Sequence, residues 1–428
     1  MFLNSKVIYF ICAAFVSSTN VTAKEVYIGK QISFVEAIQK SLKYNLELER
    51  YQYQSNSKQY QIKHSALSPS PEIGLKIEDA YGSGAFKDMD NAQLSINISW
   101  VIEGDLREAF VEYEKVGLLS IDNELISKKL EISAATAKYY ITSLAYQAQL
   151  KNSEEALRLA ENITREVRKR LRAGKTTKAE LIHAQAQLAH RELETDDIKH
   201  ELNSAYYQLA SQWGEKKPNF ARVKGDVYHI PKMMKLESIY SSLDKSPVIR
   251  ELLIYKKQKN AELKVEKEKS NSTWRVNVGV KESKLTNDQS LIAGISIPFG
   301  EKSRNKFKIA QSKEELLEIE SNNKALVQGL KTKLFVLYEE FKHHLHQIDA
   351  HKNKIIPLLE KAVVESERAY QLGRYSYLDW SSVQKDLLTA KKKLLLASKN
   401  AQLKFIEIQY LSGSSIKAKN KKQGERNE

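Results

Sequence analysis

The chain has 428 residues, with 68 Lys+Arg against 53 Asp+Glu and a formal net charge of +15. Charged residues make up 28% of it, while only 16 Gly and 7 Pro are present, which favours long helices over a loop-rich fold. The basic side chains alternate with Glu along helix-patterned segments and no nucleic-acid motif accompanies them, so the charge reads as solvated helix faces and nucleic acid is excluded as a partner.

Residues 1–23 read as a secretory signal peptide. Lys6 precedes an apolar run from Val7 to Val16, and the segment ends Val21-Thr22-Ala23, with a small residue at the expected cut. The run is too short to cross a bilayer. Cys12, the sole cysteine, sits inside it without a lipobox. The expected mature chain therefore has no thiol: no disulfide, no Cys-bound metal and no Cys nucleophile.

Residues 24–213 form a first unit. Glu25 to Tyr44 opens it, with Ile32, Val35, Ile38 and Leu42 spaced as a helix face. Asn45 to Leu67 continues as a polar helix, which Pro69 and Pro71 stop. The period then changes to two, over a strand pair at 72–101. Ile73, Leu75 and Ile77 alternate with polar or small residues; after a loop, so do Leu94, Ile96, Ile98 and Trp100. One face in lipid and one in water would produce this pattern, and so would a soluble sheet on a core. A long helical hairpin fills 103–212. Leu118, Leu125, Ile132, Tyr139 and Tyr146 recur every seven residues; Ser153 interrupts, and Ala160 and Val167 resume the series, as in a coiled-coil seam. From Glu103 to Ala173 a continuous helix would measure roughly 105 Å.

Residues 214–245, with Gly214, Pro218, Gly225 and Pro231, read as a connecting, equatorial segment with little regular structure. Residues 246–411 then repeat the first unit. A helix from Pro247 to Ser270 leads to a strand pair at 274–300, carrying Val276, Val278, Val280, Ile295, Ile297 and Phe299. The second hairpin, 302–411, has its seam at Leu330, Leu334, Leu337, Phe341, Leu345, Ile348 and Ile355, and Pro357 should break or kink it. The outgoing helices are about half the length of the incoming ones, so the short helices at 45–67 and 247–270 can stack on them end to end. Residues 412–428 read as a disordered basic tail.

The repetition is in register. Gly174 lies over Gly373 at an offset of 199, and at that offset Lys175 meets Arg374, Thr177 meets Ser376 and Glu180 meets Asp379. Ile96-Asn-Ile98-Ser-Trp100 lies over Ile295-Ser-Ile297-Pro-Phe299 at the same offset, so the chain is a tandem duplication. In each bend Gly stops the incoming helix and Thr177 or Ser376 caps the outgoing one. Alone, that is how any helical hairpin turns.

The expected mature chain has no apolar run of about 18 residues, so no helix is expected to span a membrane. Four strands cannot close a barrel, since barrels begin at about eight. If the strands meet lipid, the barrel is shared between copies. Two copies would give a minimal barrel with a filled interior, so three are expected. The expected fold is mostly α with a small β part: a trimeric membrane β-barrel, four strands per chain, continued by a long periplasmic α-helical coiled-coil barrel.

The signal peptide, the doubled strand–loop–strand units and the bends Gly-Lys-Thr-Thr and Gly-Arg-Tyr-Ser resemble the TolC family of outer-membrane efflux proteins. The resemblance implies a homotrimeric, passive conduit embedded in outer-membrane lipid. Its partners would be a periplasmic adaptor (membrane fusion) protein and an inner-membrane resistance-nodulation-division pump. Ser68-Pro-Ser-Pro-Glu-Ile-Gly-Leu-Lys-Ile-Glu78 is similar to the cobalt–zinc–cadmium and copper efflux branch, whereas Val101-Ile-Glu-Gly-Asp-Leu-Arg107 departs from that branch's Glu-Leu-Gly-Gly-Lys-Arg form. The implied cargo is heavy-metal cations; drug efflux, type I protein secretion or a periplasmic coiled-coil scaffold are the alternatives. By the same resemblance Gly174, Lys175, Thr176, Thr177, Gly373, Arg374, Tyr375 and Ser376 would dock the adaptor, and Asp379 would gate the tip, unless it only caps its helix.

His343, His344, His346 and His351 cluster in sequence, but lack the ligand spacing of a metal site and read as surface histidines. No cofactor is expected. No nucleophile elbow, phosphate loop or zinc signature is present, so no enzyme is expected.

Overall fold

Two very long helices carry the molecule, and every other element packs along them. A computed structural model describes residues 30–232, 234–271, 273–414 and 416. The expected signal peptide, and all of the expected tail beyond 416, lie outside those residues.

The chain opens with β1 (Gln31–Ile32), α1 (Phe34–Tyr44) and, after a single 3-10 turn, α2 (Glu49–Ser65). The hairpin β2 (Glu72–Glu78) and β3 (Gln93–Ile102) leads into α3 (Leu106–Arg172), whose 67 unbroken residues span about 100 Å. α4 (Lys178–Ser211) returns antiparallel along it. β4 (Arg222–Val223) and α5 (Leu236–Leu243) precede α6 (Pro247–Glu268), the hairpin β5 (Trp274–Ser283) and β6 (Asp288–Ser296), and α7 (Glu301–Ala350). A π turn (His351–Ile355) joins α7 to α8 (Ile356–Gln371), and α9 (Tyr377–Leu411) returns.

The short helices complete the long returns end to end. Asn45, before α2, donates its amide to the carbonyl of Gln212, just past α4, at 2.9 Å. At the other junction Gly413, just past α9, passes so close to α6 that a Cβ there would lie 2.7 Å from Ser246 Cα. Gly413 also has φ +69°, so glycine is required twice over. In the upper half α2 packs on α3, α3 on α6 and α6 on α7. The strands lie in the same order, β2-β3-β5-β6, all antiparallel.

The largest core sits where the segments join. β1 and β4 pair in parallel there. Tyr140 of α3 is buried with its hydroxyl 3.0 Å from the carbonyl oxygen of Ile32 and also against that of Lys224. Burial pushes that phenol well above its ordinary pKa. Gln147 takes the place of a neighbouring strand: its amide donates to the Val223 carbonyl at 3.0 Å, and its oxygen accepts from Val223 N–H at 2.7 Å. These bonds pair a backbone that would otherwise be buried without partners.

Four expectations need correction. The segment 214–245 is not irregular throughout. It supplies β4 and also α5, where Ile239 and Leu243 are fully buried against Leu334, Leu337 and Phe341 of α7. At the start of the chain Ile32 belongs to β1, and Val35 is exposed; α1 buries Ala37, Ile38 and Ser41 instead. The second long helix is interrupted at Pro357 as expected, since the proline has no N–H for the α-helical ladder and the preceding turn widens to i→i+5; the correction is to its seam. The wide turn inserts one residue into the seam, so Ile355 turns outward and Ile356 is buried in its place. Last, β6 ends at Ser296, so Ile297 and Phe299 lie beyond the ladder, Phe299 being 97% exposed. Pro298 between them cannot donate a ladder bond.

Replacement of Gly279 tests the sheet. A Cβ there would lie 2.4 Å from the carbonyl oxygen of Ile96 and 2.8 Å from Asn97 Cα, which are backbone atoms of the paired strand. Gly279→Val should therefore open the β3–β5 pairing. The expected outcome is a loss of β signal in circular dichroism and a much lower yield of folded protein, with helical content kept.

Candidate membrane-facing sheet and helical tip

The register of the four strands sorts their side chains onto two faces. Ile73, Ile98, Val278 and Ala293 form one row across the sheet, and Leu75, Ile96, Val280 and Leu291 form the next. Trp100, Val276 and Ile295 form a third, and Ile77 stands beside Leu94. All of them share one face, and all except the half-buried Val276 are exposed. The other face carries Gly74, Asn97, Gly279 and Ile292 in one row and Lys76, Ser95, Lys281 and Ser290 in another, and is mostly polar or small. An apolar patch of this extent on a single chain is the mark of an interaction surface rather than a solvated one.

Two further residues belong to the apolar face, Ile102 and its partner Trp274 at the helical end. Extending each alternation by one more step finds them in the sequence. Tryptophan at that end places amphipathic rings where an apolar band meets water.

The two bends lie together at the far end of the helices. Each incoming helix closes with a Schellman motif. Lys175 N–H donates to Arg170 O at 2.9 Å and Gly174 N–H to Leu171 O at 3.0 Å; Arg374 and Gly373 make the same pair of bonds to Ala369 and Tyr370. Gly174 and Gly373 have φ of +70° and +73°, which a Cβ would strain. Each outgoing helix is capped by the expected hydroxyl. Thr177 Oγ1 accepts from Glu180 N–H and Ser376 Oγ from Asp379 N–H, both at 3.2 Å. Lys175, Gly373, Arg374, Tyr375 and Ser376 are exposed at the tip, as are Gly174 and Thr177, while Thr176 is half-buried and bonded to the Glu180 carboxylate.

The two hairpins grip one another just above the bends. Within the second hairpin Tyr370 stacks on Trp380 with ring centroids 4.9 Å apart; from the first, the Arg170 guanidinium lies 4.4 Å from the Tyr370 ring on its way to the Gln371 carbonyl at 3.3 Å. Glu180 accepts from Tyr377 N–H at 3.4 Å. Burial lifts the phenols of Tyr370 and Tyr377 above their ordinary pKa. The duplication alone did not single out Arg170, Tyr370 or Trp380. Arg170 reaches from the first hairpin to a ring that Trp380 holds within the second, and at the 199-residue offset the three meet Ala369, Leu171 and Leu181 instead of equivalents.

Asp379 is occupied by its own helix. Its Oδ2 accepts from Ser376 N–H at 3.0 Å and from the Ser376 hydroxyl at 2.7 Å, completing a capping box. Those bonds hold its carboxyl below the usual carboxylate range. The histidines are dispersed. The rings of His343 and His344 are 5.8 Å apart, and His344 Nδ1 lies 3.0 Å from Gln347 Oε1. Among the described residues no three His, Cys, Asp or Glu side chains are grouped as a metal ion would require, and no helix is long and apolar enough to cross a membrane.

This arrangement, a four-stranded sheet continued by paired long helices, is the fold of outer-membrane channels. The structure of CusC, reported for folding and transmembrane channel formation, is similar with a TM-score of 0.72 and 16% identity, over 89% of this chain and 92% of that one. VceC, an outer membrane protein of Vibrio cholerae, gives a TM-score of 0.71 with 14% identity, over 90% and 97%. In sequence, the cobalt-zinc-cadmium resistance protein CzcC of Cupriavidus metallidurans is 22% identical over 334 residues, 78% of each chain. Residues 37–215 match the family described as outer membrane efflux protein. That match covers most of the first unit of the chain.

Ser376→Ala should cost about 1 kcal/mol of local helix stability, the usual loss for an N-cap. The readout is faster amide exchange over residues 377–380 with unchanged exchange at the first bend. Because the folded pKa of Asp379 is depressed, its contribution is present above the ordinary carboxylate pKa and is lost as pH falls through the lowered value. Protection of the second bend should hold at neutral pH and weaken only in acid; Ser376→Ala should reduce that acid dependence, because the Ser376 N–H still bonds the carboxylate, and Asp379→Asn should remove it.

Proposed function

We propose that three copies of the chain form an outer-membrane conduit for solutes exported from the periplasm. The observation that carries the reading is the sheet: one exposed apolar face, one polar face, and two open edges, β2 and β6. Strand direction alternates along β2-β3-β5-β6, so β6 of one copy and β2 of the next would meet antiparallel, closing a ring of about twelve strands. The apolar rows named above would face lipid and the polar rows would line the lumen. The helices would continue the conduit into the periplasm. The first unit (24–213) and the second (246–411) would each supply a strand pair and a hairpin, joined by the equatorial segment.

The tip residues Gly174, Lys175, Thr176, Thr177, Gly373, Arg374, Tyr375 and Ser376 would meet a periplasmic adaptor, which links the conduit to an inner-membrane resistance-nodulation-division pump. Three Asp379 carboxylates around the axis would favour cations at the tip aperture while also capping their helices. Divalent metal cations are the proposed cargo, supported by the similarity to a cobalt-zinc-cadmium resistance protein. Drug efflux or protein secretion through the same conduit is the second reading.

Deletion of the gene should make cells hypersensitive to cobalt, zinc or cadmium ions, measured as minimal inhibitory concentrations. Unchanged metal tolerance beside new sensitivity to dyes and detergents would shift the cargo to the second reading. Lys175→Glu with Arg374→Glu should reduce in vivo crosslinking to the adaptor without lowering the yield of trimer. Undiminished crosslinking would remove both residues from the docking surface.

A further inference from the structure

We propose that the corner between α2, β2 and α3 binds the headgroup of a phosphatidylethanolamine, with the phosphate on Arg107 and the ammonium on Glu103. The lipid source rests on the barrel proposed above, which puts this corner at the periplasmic leaflet; the chemistry of the site does not.

The corner holds a cavity of about 390 Å³, within the range of small-molecule sites. His64 of α2 lines it with Ser68 and Ser70, which precede β2, and with Glu103, Arg107 and Phe110 from the entry to α3. Glu103 and Arg107 are both half-buried. The turn between them passes through Gly104 at φ +57°, so they lack the spacing of a helical ion pair, and they do not bridge to one another. The Arg107 guanidinium donates to the neutral Ser68 hydroxyl, and the Glu103 carboxylate has no bonded partner among the described residues.

One cation and one anion in the same cavity, each half-buried without an ionic partner, suit a ligand that carries both signs. Phosphate alone would meet the Glu103 carboxylate, and an amine alone would meet the Arg107 guanidinium. A phosphoethanolamine group satisfies both. Its phosphate oxygens accept from Arg107 and the serine hydroxyls, and its ammonium donates to Glu103. Choline has no N–H to donate and is recognised by aromatic cages. The single aromatic ring of this lining, Phe110, already has the Lys269 ammonium 5.7 Å from its centre.

Height in the fold favours a lipid as the source of that group. β3 ends at Ile102, whose pair with Trp274 closes the apolar face, and Glu103 of the cavity is the next residue. In the barrel the cavity therefore lies just below the apolar band, at the level of phospholipid phosphates. Leu67 borders it at 67% exposure, an apolar contact for the glycerol end of a lipid. The duplication argues for a ligand site rather than a structural joint. At the 199-residue offset Glu103 and Arg107 meet Lys302 and Lys306, and Ser68 meets Lys267, so the second unit makes its strand-to-helix corner without the pair. Both residues fall in 101–107, where the sequence departs from the metal-efflux branch.

The test uses the full-length protein, extracted from outer membranes in mild detergent, freed of lipid and titrated with single phospholipids while native mass spectrometry reads particle mass and bound lipid. Phosphatidylethanolamine should bind once per chain and about tenfold more tightly than phosphatidylglycerol or phosphatidylcholine, the effect of one charge-assisted bond. Arg107→Gln should abolish the preference by weakening phosphatidylethanolamine. Glu103→Gln should abolish it by admitting phosphatidylglycerol, while Lys306→Gln, at the matching corner of the second unit, should leave it intact. Equal binding of the three lipids, or a preference that survives both Arg107→Gln and Glu103→Gln, would overturn the site. Glycerophosphoethanolamine should displace the lipid and inorganic phosphate should not; equal displacement by phosphate would overturn the zwitterion in favour of a plain anion site. Binding of glycerophosphoethanolamine with no lipid retained would overturn the lipid source. A trimer without headgroup preference removes the site and leaves the barrel standing, whereas a selective particle that is not a trimer removes the barrel and leaves the site.

Discussion

A β-sheet with two free edges and one apolar face cannot be satisfied by the chain that makes it. β2 and β6 are edge strands of seven and nine residues, and the apolar rows between them stand in solvent on the isolated chain. In hydrocarbon each unpaired backbone group costs several kcal/mol, so an open edge there is not a viable end state. By comparison, the exposed ion pairs along the helices contribute about 0–1 kcal/mol each. In the proposed barrel the edges outweigh them, and they would define which surfaces meet a second chain.

The helices pass that demand along the molecule. Because α2 leads into β2 and α7 leaves β6, helix order and strand order coincide. The end-to-end junctions at Asn45–Gln212 and at Ser246–Gly413 keep this order where one helix gives way to another. The equatorial core around Tyr140 and Gln147 anchors β1 and β4 on α3 at mid-height. At the far end, Arg170 on Tyr370 and Glu180 on the Tyr377 amide hold hairpin to hairpin. Rigid joints at the middle and at the tip let one geometry run from the strands to the bends.

Much of this was legible in the residues, for identifiable reasons. Strand alternation survives because its period of two fixes a face whatever the partner, so Ile73, Ile96 and Val278 fall in adjoining rows as their spacing requires. The bends were legible because a Schellman turn and an N-cap are local chemistry: Gly174 with Thr177, and Gly373 with Ser376. Where the reading failed, a non-local cause had intervened. The phase slip from Ile355 to Ile356 follows from a backbone ladder that Pro357 cannot complete. α5 looked like linker because eight residues are too few to show a period, and its burial depends on α7, nearly a hundred residues later.

The duplication sets the limit of what repetition can reveal. Features present in both copies answer needs that both copies share: a strand pair, a long helix, a capped bend. The contacts between copies answer a different need, since two equivalent hairpins must be told apart in order to pack. Arg170 over Tyr370, and Glu180 on the Tyr377 amide, join positions with different neighbours in their own halves. Asymmetry of this kind lets one chain present two unlike edges, and unlike edges are what allow identical chains to join head to tail into a closed ring.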